Sequence, residues 1–347
     1  MAEAQAFIPE VINAHFDEAS FLYSEYQTEI KASEPNVDYL NGVIARLGAN
    51  LDGLVINAAA AWAFCEAAIE GDDAGEFFVA SYLAFQSAEL EKVKLVVDSG
   101  QADSQLLQAI ANGLAWHPWA LSGFWATKFT SAKQITMKSI GLFCFNRHKK
   151  SFPIKLSDLL GQSLANKDLN ATPLLLDIAS KNEDSQVLPV LQQYSVGELD
   201  KNSFQVLETR LKLDDTSALA ELKLFVLNEN LHREAALNLA FSQLETTQAK
   251  QWVGELNAIP NSARWILLAV GAMNEKPLLP WVVKQMEVPE LARISAKVFS
   301  QLSGVDLKEK GWLLSDDSMD EQWLALEGDE DLDWPDVVQI KQGMNYE

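Results

Sequence analysis

The fold is decided by residues 252–304, which read WVGELNAIPNSARWILLAVGAMNEKPLLPWVVKQMEVPELARISAKVFSQLSG. This stretch copies itself at a spacing of 29 residues, since Trp252-Val253 returns as Trp281-Val282. A repeat near this length, with apolar residues at helical spacing, is typical of helix pairs that bury their apolar faces only by stacking on neighbouring pairs. The stretch therefore predicts an all-α fold, a HEAT-like α-solenoid of stacked antiparallel helix pairs. The same spacing relates Phe241, Val270 and Phe299, and also Leu244, Met273 and Leu302.

Helical patterns continue outward from this repeat to the N-terminus. Apolar residues recur at three and four positions, and Gly, Pro and Asn interrupt the runs. Between 149 and 170 the pattern weakens, with Pro153 and Gly161 as punctuation, so a joint is expected there. We predict an N-terminal helical cap region over 1–74, first helical repeats over 75–150, C-terminal HEAT-like repeats over 151–307 and an acidic, Trp-containing tail over 308–347. Helices or helix pairs are predicted over 8–30, 37–51, 55–70, 75–99, 103–129, 133–149, 173–193, 204–228, 231–256, 262–286 and 289–302.

Composition is that of a folded protein that stays inside the cell. With 347 residues, of which 48% are hydrophobic and 22% charged, the chain is long enough to bury a sizeable core. The first ten residues have no basic flank and no uninterrupted apolar segment, which argues against a secretory signal, and the longest apolar stretch is too short to cross a membrane. Cys65 and Cys144 sit in apolar surroundings and are interpreted as reduced core residues. We expect a cytoplasmic protein.

The charge of the chain is strongly negative and unevenly spread. A formal net charge of −22 repels phosphate backbones and anionic lipid surfaces, so nucleic acid and membranes are not expected partners. The segment 311–340 contains no Lys or Arg and ten acidic residues. The favoured interpretation is a solvated, partly extended tail. The alternative is that its tryptophans, Trp312, Trp323 and Trp334, dock back on the last helices or on a basic partner.

Several stretches resemble one bacterial family. The segments His15-Phe-Asp-Glu-Ala-Ser-Phe-Leu-Tyr23, Asn50-Leu-Asp-Gly-Leu54 and Gly75-Glu-Phe-Phe78 resemble the opening of an uncharacterised family of HEAT-like repeat proteins. The segments 288–307 and Asp331-Leu-Asp-Trp-Pro-Asp336 resemble its last repeat and its acidic tail. Members are often encoded among type VI secretion genes, beside spike proteins and their adaptors. The resemblance implies an accessory or adaptor role in secretion and carries no activity with it.

A search for enzyme chemistry finds no catalytic or metal-binding motif in the sequence. The four histidines are dispersed, and none has a second His or Cys at the spacing of metal ligands. His15 is interpreted as a packed core histidine and His148 as part of a solvated, basic helix end. The carboxylates of Asp17 and Glu18 are adjacent in sequence and point in different directions on a helix, so they do not form an acid and base pair. We expect no enzymatic activity, no cofactor and no metal.

The best candidate for recognition is the segment from Trp116 to Trp125, which places five bulky rings within ten residues around a proline turn. Aromatic residues dominate protein-binding hot spots because they bury a large area at a small entropic cost. The competing interpretation is that these rings fill the junction between two helix pairs. The residues predicted to bind a partner are Trp116, Trp119, Trp125, Trp323 and Trp334.

These observations predict a non-enzymatic protein-binding scaffold or adaptor that helps to load type VI secretion cargo. Its partner would be a secretion spike, an adaptor or an effector. The alternative is an immunity protein whose acidic face neutralises a basic toxin by direct binding. A third hypothesis, a lyase or modifying enzyme on a HEAT scaffold, requires a pocket of convergent polar residues that the sequence does not reveal.

Overall fold

The described residues of this chain form an all-helical protein. The computed structural model describes residues 8–32, 35–194, 196–314 and 329–344, and over these ranges it contains 19 α-helices and no β-strand. The prediction of an all-α fold is therefore confirmed. The chain divides into two compact units, Met1–Ser195 and Val196–Glu347.

The first unit contains eleven of the described helices, joined by short turns. A 3-10 turn, Ser185–Val187, precedes the last of them. The helices are α1 (Pro9–Glu29), α2 (Val37–Ile56), α3 (Ala58–Ala68), α4 (Ala74–Ser87), α5 (Leu90–Gly100), α6 (Ser104–Ala115), α7 (Trp119–Thr130), α8 (Ile135–Arg147), α9 (Leu156–Ala165), α10 (Ala171–Lys181) and α11 (Leu188–Gln193).

The second unit contains the remaining eight described helices. A 3-10 turn, Lys276–Leu278, lies within it. The helices are α12 (Lys201–Lys212), α13 (Ala218–Leu227), α14 (Arg233–Phe241), α15 (Thr246–Asn257), α16 (Ala263–Ala272), α17 (Leu279–Gln285), α18 (Pro289–Ser303) and α19 (Val337–Met344).

Local signals in the sequence explain several helix ends. The side chains of Asn36, Asp73 and Asp103 accept hydrogen bonds from the backbone N–H groups that the first turns of α2, α4 and α6 leave unpaired. Pro289 begins α18, and Gly304 ends it with a φ of 73°, a left-handed conformation that costs glycine little. The sequence predicts both ends, since proline suits the first turn of a helix and glycine suits the left-handed residue that follows one, and both are confirmed.

In the first unit, each layer of helices packs on the next in chain order. Helix α4 packs against α1 and α6, and α8 packs against α6 and α10. The backbones approach closely at Gly113 and Gly141. A Cβ atom at Gly113 would lie 3.0 Å from the backbone nitrogen of Tyr82, and one at Gly141 would lie 2.7 Å from the carbonyl oxygen of Ala126. The second contact seats α7 on α8.

The second unit repeats this arrangement with the 29-residue period. Helix α16 packs against α14 and α18, while α17 packs against α18. The period-related residues Phe241, Val270 and Phe299 are 2%, 3% and 0% exposed and belong to one core cluster. The repeat in the sequence is therefore a repeat of core positions.

Part of the acidic C-terminal segment also packs on this unit. Trp334 and Ile340 are buried, and Asp329 forms a salt bridge with Arg264. A single antiparallel bridge joins Leu313 to Pro335. The interpretation of a solvated, partly extended tail is therefore wrong for residues 329–344. Trp312 also packs against the core cluster of this unit, so docking of the tryptophans on the last helices, the alternative interpretation, describes Trp312 and Trp334.

The weak helical pattern between 149 and 170 does not mark the division between the two units. Helix α9 lies within it and packs against α8 and α10 in the first unit, whereas the division follows Ser195. Among the described residues, no helix is by itself both long and apolar enough to cross a membrane. Val37–Ile56 and Ala58–Ala68 reach that apolar length only together, across a bend of 111°.

Candidate protein-binding site

The candidate site lies on α7, which begins directly after Pro118. Because proline fixes φ and here takes an extended backbone, with φ of −55° and ψ of 148°, the chain turns from α6 into α7 within three residues. Helix α7 packs mainly against α8. Its exposed residues Ala120, Phe124, Thr127 and Lys128 recur at three and four positions and therefore share one face.

Trp119 begins α7 and is held on one side only. Its ring lies across Gly123, where an added Cβ would meet it at 2.8 Å, and it packs edge-on against Phe145 at 5.0 Å between ring centroids. The Nζ atom of Lys150 lies 5.6 Å from its centroid. Trp119 remains partly exposed. The ring of His148 lies 5.5 Å away between centroids, so Trp119 is held mainly by α8 and the residues that follow it.

Phe124 is the ring that α7 leaves in water, with 65% of its surface exposed. Lys128, one turn further along, places its Nζ atom 6.0 Å from the Phe124 centroid and 5.0 Å from that of Trp125. We call the exposed face around Phe124 and Lys128 the α7 surface. It combines one aromatic ring with one ammonium group, whereas Trp119 and Lys150 form a second pair on another side of α7.

Trp125 and Trp116 serve the interior more than the α7 surface. Trp125 is 4% exposed and packs against Phe85 and Phe129. Trp116 caps α6 and meets the rings of Tyr26 and Phe78 edge-on, each at 5.4 Å between centroids. The alternative interpretation was that these rings fill the junction between helix pairs. Trp125, which is buried, fits this interpretation fully, and Trp116, which is partly exposed, fits it in part.

The other predicted binding residues belong to the C-terminal segment. Trp334 is 8% exposed and packs against the guanidinium of Arg293, whose Cζ atom lies 4.7 Å from the ring centroid. Trp323 lies outside the described residues. Partner binding by the five tryptophans stays a prediction, and the geometry brings only Trp116, Trp119 and Trp125 into one region.

Two histidines and a serine lie beneath this region. The Nε2–H group of His117 donates to the carbonyl oxygen of Tyr82 at 2.9 Å, and the two rings stack at 4.0 Å between centroids. Burial lowers the pKa of His117 to about 4, against the smaller opposing effect of that hydrogen bond. His117 is therefore neutral near pH 7.

Ser122 and His148 form the one contact here that resembles a nucleophile with its base. Ser122 Oγ lies 3.2 Å from His148 Nε2, but Ser122 is fully buried. A nucleophile needs room for a substrate on its open side, and the helices close that side. Burial, followed by the charge of Arg147, lowers the pKa of His148. Burial also raises the pKa of the neighbouring Cys144 thiol to about 11, so that this sulfur stays protonated.

No metal site comes from the rest of the described chain. Within those residues no group of three or more His, Cys, Asp or Glu side chains has the arrangement to hold a metal ion. The Nδ1–H group of His15 donates to Oδ1 of Asn50 at 2.8 Å, and its ring fills the space beside Gly53. The core interpretation of His15 agrees with this placement.

The sequence analysis did not name Lys128 and Lys150, which lie over the aromatic rings of this region. The distribution of acidic residues along the sequence could have identified them. Residues 104–157 contain no Asp or Glu and seven basic residues, in a chain with 49 acidic residues overall. The aromatic cluster and this acid-free segment coincide. Comparison of the chain with models of protein families, with characterised proteins and with solved structures found no match.

Proposed function

We propose that this chain is a non-enzymatic protein-binding scaffold or adaptor, and that its successive helix layers form a HEAT-like α-solenoid. The observation that carries the binding role is the α7 surface, where the ring of Phe124 is 65% exposed; on another side of the same helix, Trp119 is partly exposed. Exposed aromatic rings on a rigid helix are costly in water and inexpensive to immobilise. They are therefore effective anchors for a partner.

The helix packing supports this role because it makes α7 a firm platform. The close contact at Gly141 fixes α7 on α8, and Trp125 packs against Phe85 of α4, so little order has to be gained when a partner binds. The deep side of α7 offers no open cavity to a substrate, since Ser122 is enclosed. The exposed side of α7 therefore offers a surface for binding and no reactive group.

We further propose that the partner belongs to a type VI secretion system and is a spike, an adaptor or an effector awaiting loading. The support is the resemblance of residues 15–23, 50–54, 75–78, 288–307 and 331–336 to the HEAT-like family encoded in such gene clusters. The role in cargo loading is drawn from that resemblance, and the contact surface is drawn from the geometry.

An immunity protein is the second candidate, because the acidic balance of the chain favours it. With −22 overall and +7 in the acid-free segment, the remaining residues carry −29. A field of that sign would speed association with a basic toxin, and salt would slow it steeply, since screening acts over about 8 Å at physiological ionic strength.

The test is capture of partners by the tagged full-length chain from its native cells, followed by mass spectrometry. Phe124→Ala is compared with Phe21→Ala, because Phe21 is also an exposed helical phenylalanine, at 57%. We expect a spike, adaptor or effector that Phe124→Ala loses and Phe21→Ala retains. Capture of a basic toxin by both variants, with strong salt dependence, would support the immunity protein. Equal capture of secretion components by both variants would remove α7 as the binding surface.

A further inference from the structure

One buried cation of the second unit uses few of its hydrogen-bond donors. Arg233 begins α14 and is 6% exposed. Its Nε–H group donates to the carbonyl oxygen of Val226 in α13 at 2.9 Å. Nη2 is buried, and no described residue accepts a hydrogen bond from Nη1 or Nη2. A guanidinium carries five N–H donors, so four of them have no acceptor among the described residues.

Arg210 and Arg264, in the same unit, differ because all three nitrogens of each guanidinium donate hydrogen bonds. Their acceptors are Asp215, Glu221 and Ser217 for Arg210, and Asp329 and Glu234 for Arg264. Over the ranges that the structure describes, Arg233 forms no salt bridge with a carboxylate. Burial therefore lowers the pKa of Arg233, against a smaller opposing effect of Glu229, which is exposed in the preceding turn.

The burial of Arg233 is what distinguishes it from the exposed lysines of this chain. Water solvates an exposed ammonium group, whereas a charge removed from water is stable only when it is paired and hydrogen-bonded. Arginine stays charged in proteins even where burial lowers its pKa. An anion that reaches Nη1 and Nη2 therefore gains more at this position than at a solvated cation.

The ring of Trp265 in α16 places Arg233 beside a guanidinium that already binds a carboxylate. The Cζ atoms of Arg233 and Arg264 lie 4.5 Å and 5.0 Å from the centroid of this ring. Arg264 donates from Nε and Nη2 to the two carboxylate oxygens of Asp329, at 3.2 Å and 2.6 Å. Asp329 belongs to the C-terminal segment, so this cluster recognises a carboxylate that comes from a distant part of the chain.

We propose that Arg233 binds a second carboxylate, which a ligand supplies. The end of a guanidinium that carries Nη1 and Nη2 presents two parallel N–H bonds, and this fork matches the two oxygens of a carboxylate. The Nε side of Arg233 is occupied by the carbonyl of Val226, so the ligand binds end-on. The Trp265 ring lies against the guanidinium and limits its rotation, so the fork is ordered before the ligand arrives.

The ligand must present its carboxylate on a narrow group, because Arg233 keeps only 6% of its surface in contact with solvent. A free carboxylate such as acetate fits this requirement, and so does the side chain of an aspartate in another polypeptide. The two sources share one chemistry, and the experiment below separates them. This site lies in the second unit and does not depend on the α7 surface.

The test is nuclear magnetic resonance of the full-length chain labelled with ¹⁵N at arginine. The sequence contains six arginines, so the Nε–H spectrum is simple, and Arg233→Lys assigns the Arg233 signal. Sodium acetate and the tripeptide Ala-Asp-Ala with blocked ends are titrated separately, at an ionic strength held constant with sodium chloride. We expect the Arg233 signal to shift with half-saturation at about 1–10 mM, as two charge-assisted hydrogen bonds imply. The signal of Arg46, whose side chain is 62% exposed, should not follow this curve.

Arg233→Met and Arg46→Met are the matched variants, since each replaces one guanidinium by an uncharged, unbranched side chain. A ligand that binds only the folded state raises the unfolding temperature. At about ten times the half-saturating concentration, acetate should raise it by about 2–4 °C relative to chloride in the parent chain and in Arg46→Met. The rise should vanish in Arg233→Met. Circular dichroism checks that both variants are folded, and the signals of the parent chain decide the question if Arg233→Met is not.

The two ligands distinguish the source of the carboxylate. Binding of acetate alone would identify a free anion, and tighter binding of the tripeptide would identify a polypeptide; either result supports the site. Three results would overturn the proposal. They are an Arg233 signal that neither ligand moves at about 0.1 M, far above the expected half-saturation, an Arg46 signal that moves with the same curve, and acetate stabilisation that survives in Arg233→Met. None of them bears on capture of a partner through Phe124, so the two proposals fail separately.

Discussion

Two regions of the molecule, the one around Arg264 and the one around α7, use the same pair of residue types, a cation and an aromatic ring, in opposite ways. In the second unit the guanidinium of Arg264 lies 5.0 Å from the Trp265 ring and also binds Asp329 and Glu234. In the first unit Lys128 and Lys150 lie over rings and have no salt bridge to a described carboxylate. A cation that pairs with carboxylates of its own unit contributes to the stability of that unit. A cation without such a pair is available to bind a ligand or a partner protein.

The strongest test of this comparison is Arg210, the most enclosed of the neutralised cations. It donates to Asp215 at 2.8 Å, to Glu221 at 2.6 Å and to Ser217 at 3.0 Å, and its side chain is 3% exposed. Burial acts to lower its pKa, but the bonds to Glu221 and Asp215 outweigh it and raise the pKa above its usual value. Arg210→Ala leaves Asp215 charged and buried, so we expect a loss of about 3–5 kcal/mol in the free energy of unfolding.

Urea unfolding followed by circular dichroism measures this loss. The control is Lys212→Ala on the same helix, whose salt bridge to Glu208 is exposed and should be worth no more than about 0.5 kcal/mol. If the two variants unfold alike, burial does not distinguish cations that stabilise the fold from cations that are free to bind a partner, and the comparison between the two regions fails.

Trp334 tests whether the C-terminal segment belongs to the second unit. Its ring is 8% exposed and packs on Arg293, so Trp334→Ala removes a large buried side chain and should cost about 3 kcal/mol. Because the contact joins a terminal segment to the unit, the loss should appear as local opening. Hydrogen exchange of the amides in Val337–Met344 measures it.

Val338→Ala is the matched control, since Val338 lies in the same segment and is 65% exposed. Fast exchange in Trp334→Ala and slow exchange in Val338→Ala would place the ring among the cohesive contacts. Unchanged exchange in both variants would mean that Trp334 does not hold the segment, and would return it to the residues available for a partner.

Sequence reasoning reached the helices and their period, but for the charged tail it favoured solvation and gave docking of the tryptophans on the last helices only as the alternative. The copies of Phe241 at Val270 and Phe299 predicted buried positions because burial on a helix follows a fixed spacing. Trp334 and Asp329 gave no such signal. Their contacts with Arg293 and Arg264 join residues far apart in the chain, and a run of acids is typical of solvated segments. Long-range pairing of this kind is visible only in the structure.

His117 gives the first unit an acid sensitivity that can be measured. Its pKa lies near 4 in the folded protein and near 6.5 when unfolded, so between these values the unfolded state binds more protons. Stability should therefore fall as the pH drops from about 6.5 towards 4, by about 2 kcal/mol at pH 4.5 at 1.36 kcal/mol per pKa unit. Urea unfolding between pH 7 and 4.5 measures the fall.

His117→Gln is the variant for this test, because its amide nitrogen can still donate to the Tyr82 carbonyl. It should be stable near pH 7 and should lose less stability on acidification than the parent chain. An identical pH dependence in both would assign the acid sensitivity to carboxylates elsewhere, and the region beneath α7 would then be no different from the rest of the core.

The sequence predicted where the candidate site lies, but it did not predict which residues of that region are exposed. Five rings around a proline marked the turn before α7, yet ring count alone cannot tell which rings face water. Trp125 turned inward to Phe85 and Phe129, whereas Phe124 beside it turned outward. Adjacent residues on a helix point about 100° apart, and Trp125 is the one that faces Phe85 of α4. The absence of Asp and Glu from residues 104–157 is visible in the sequence, and it would have drawn attention to Lys128 and Lys150.

Phe124→Ala has the smallest expected effect on stability. A variant that leaves the fold unchanged is useful because it tests binding alone. With 65% of the ring already in water, its removal should change the free energy of unfolding by less than about 0.5 kcal/mol. Trp116→Ala should cost more, about 1–2 kcal/mol, because it deletes edge-on contacts with Tyr26 and Phe78. Thermal and urea unfolding of both variants measure the difference. If Phe124→Ala is as destabilising as Trp116→Ala, the ring is part of the core and cannot be an anchor for a partner. If it is neutral, any loss of binding in this variant is a property of the α7 surface itself, because the helix beneath it has not changed.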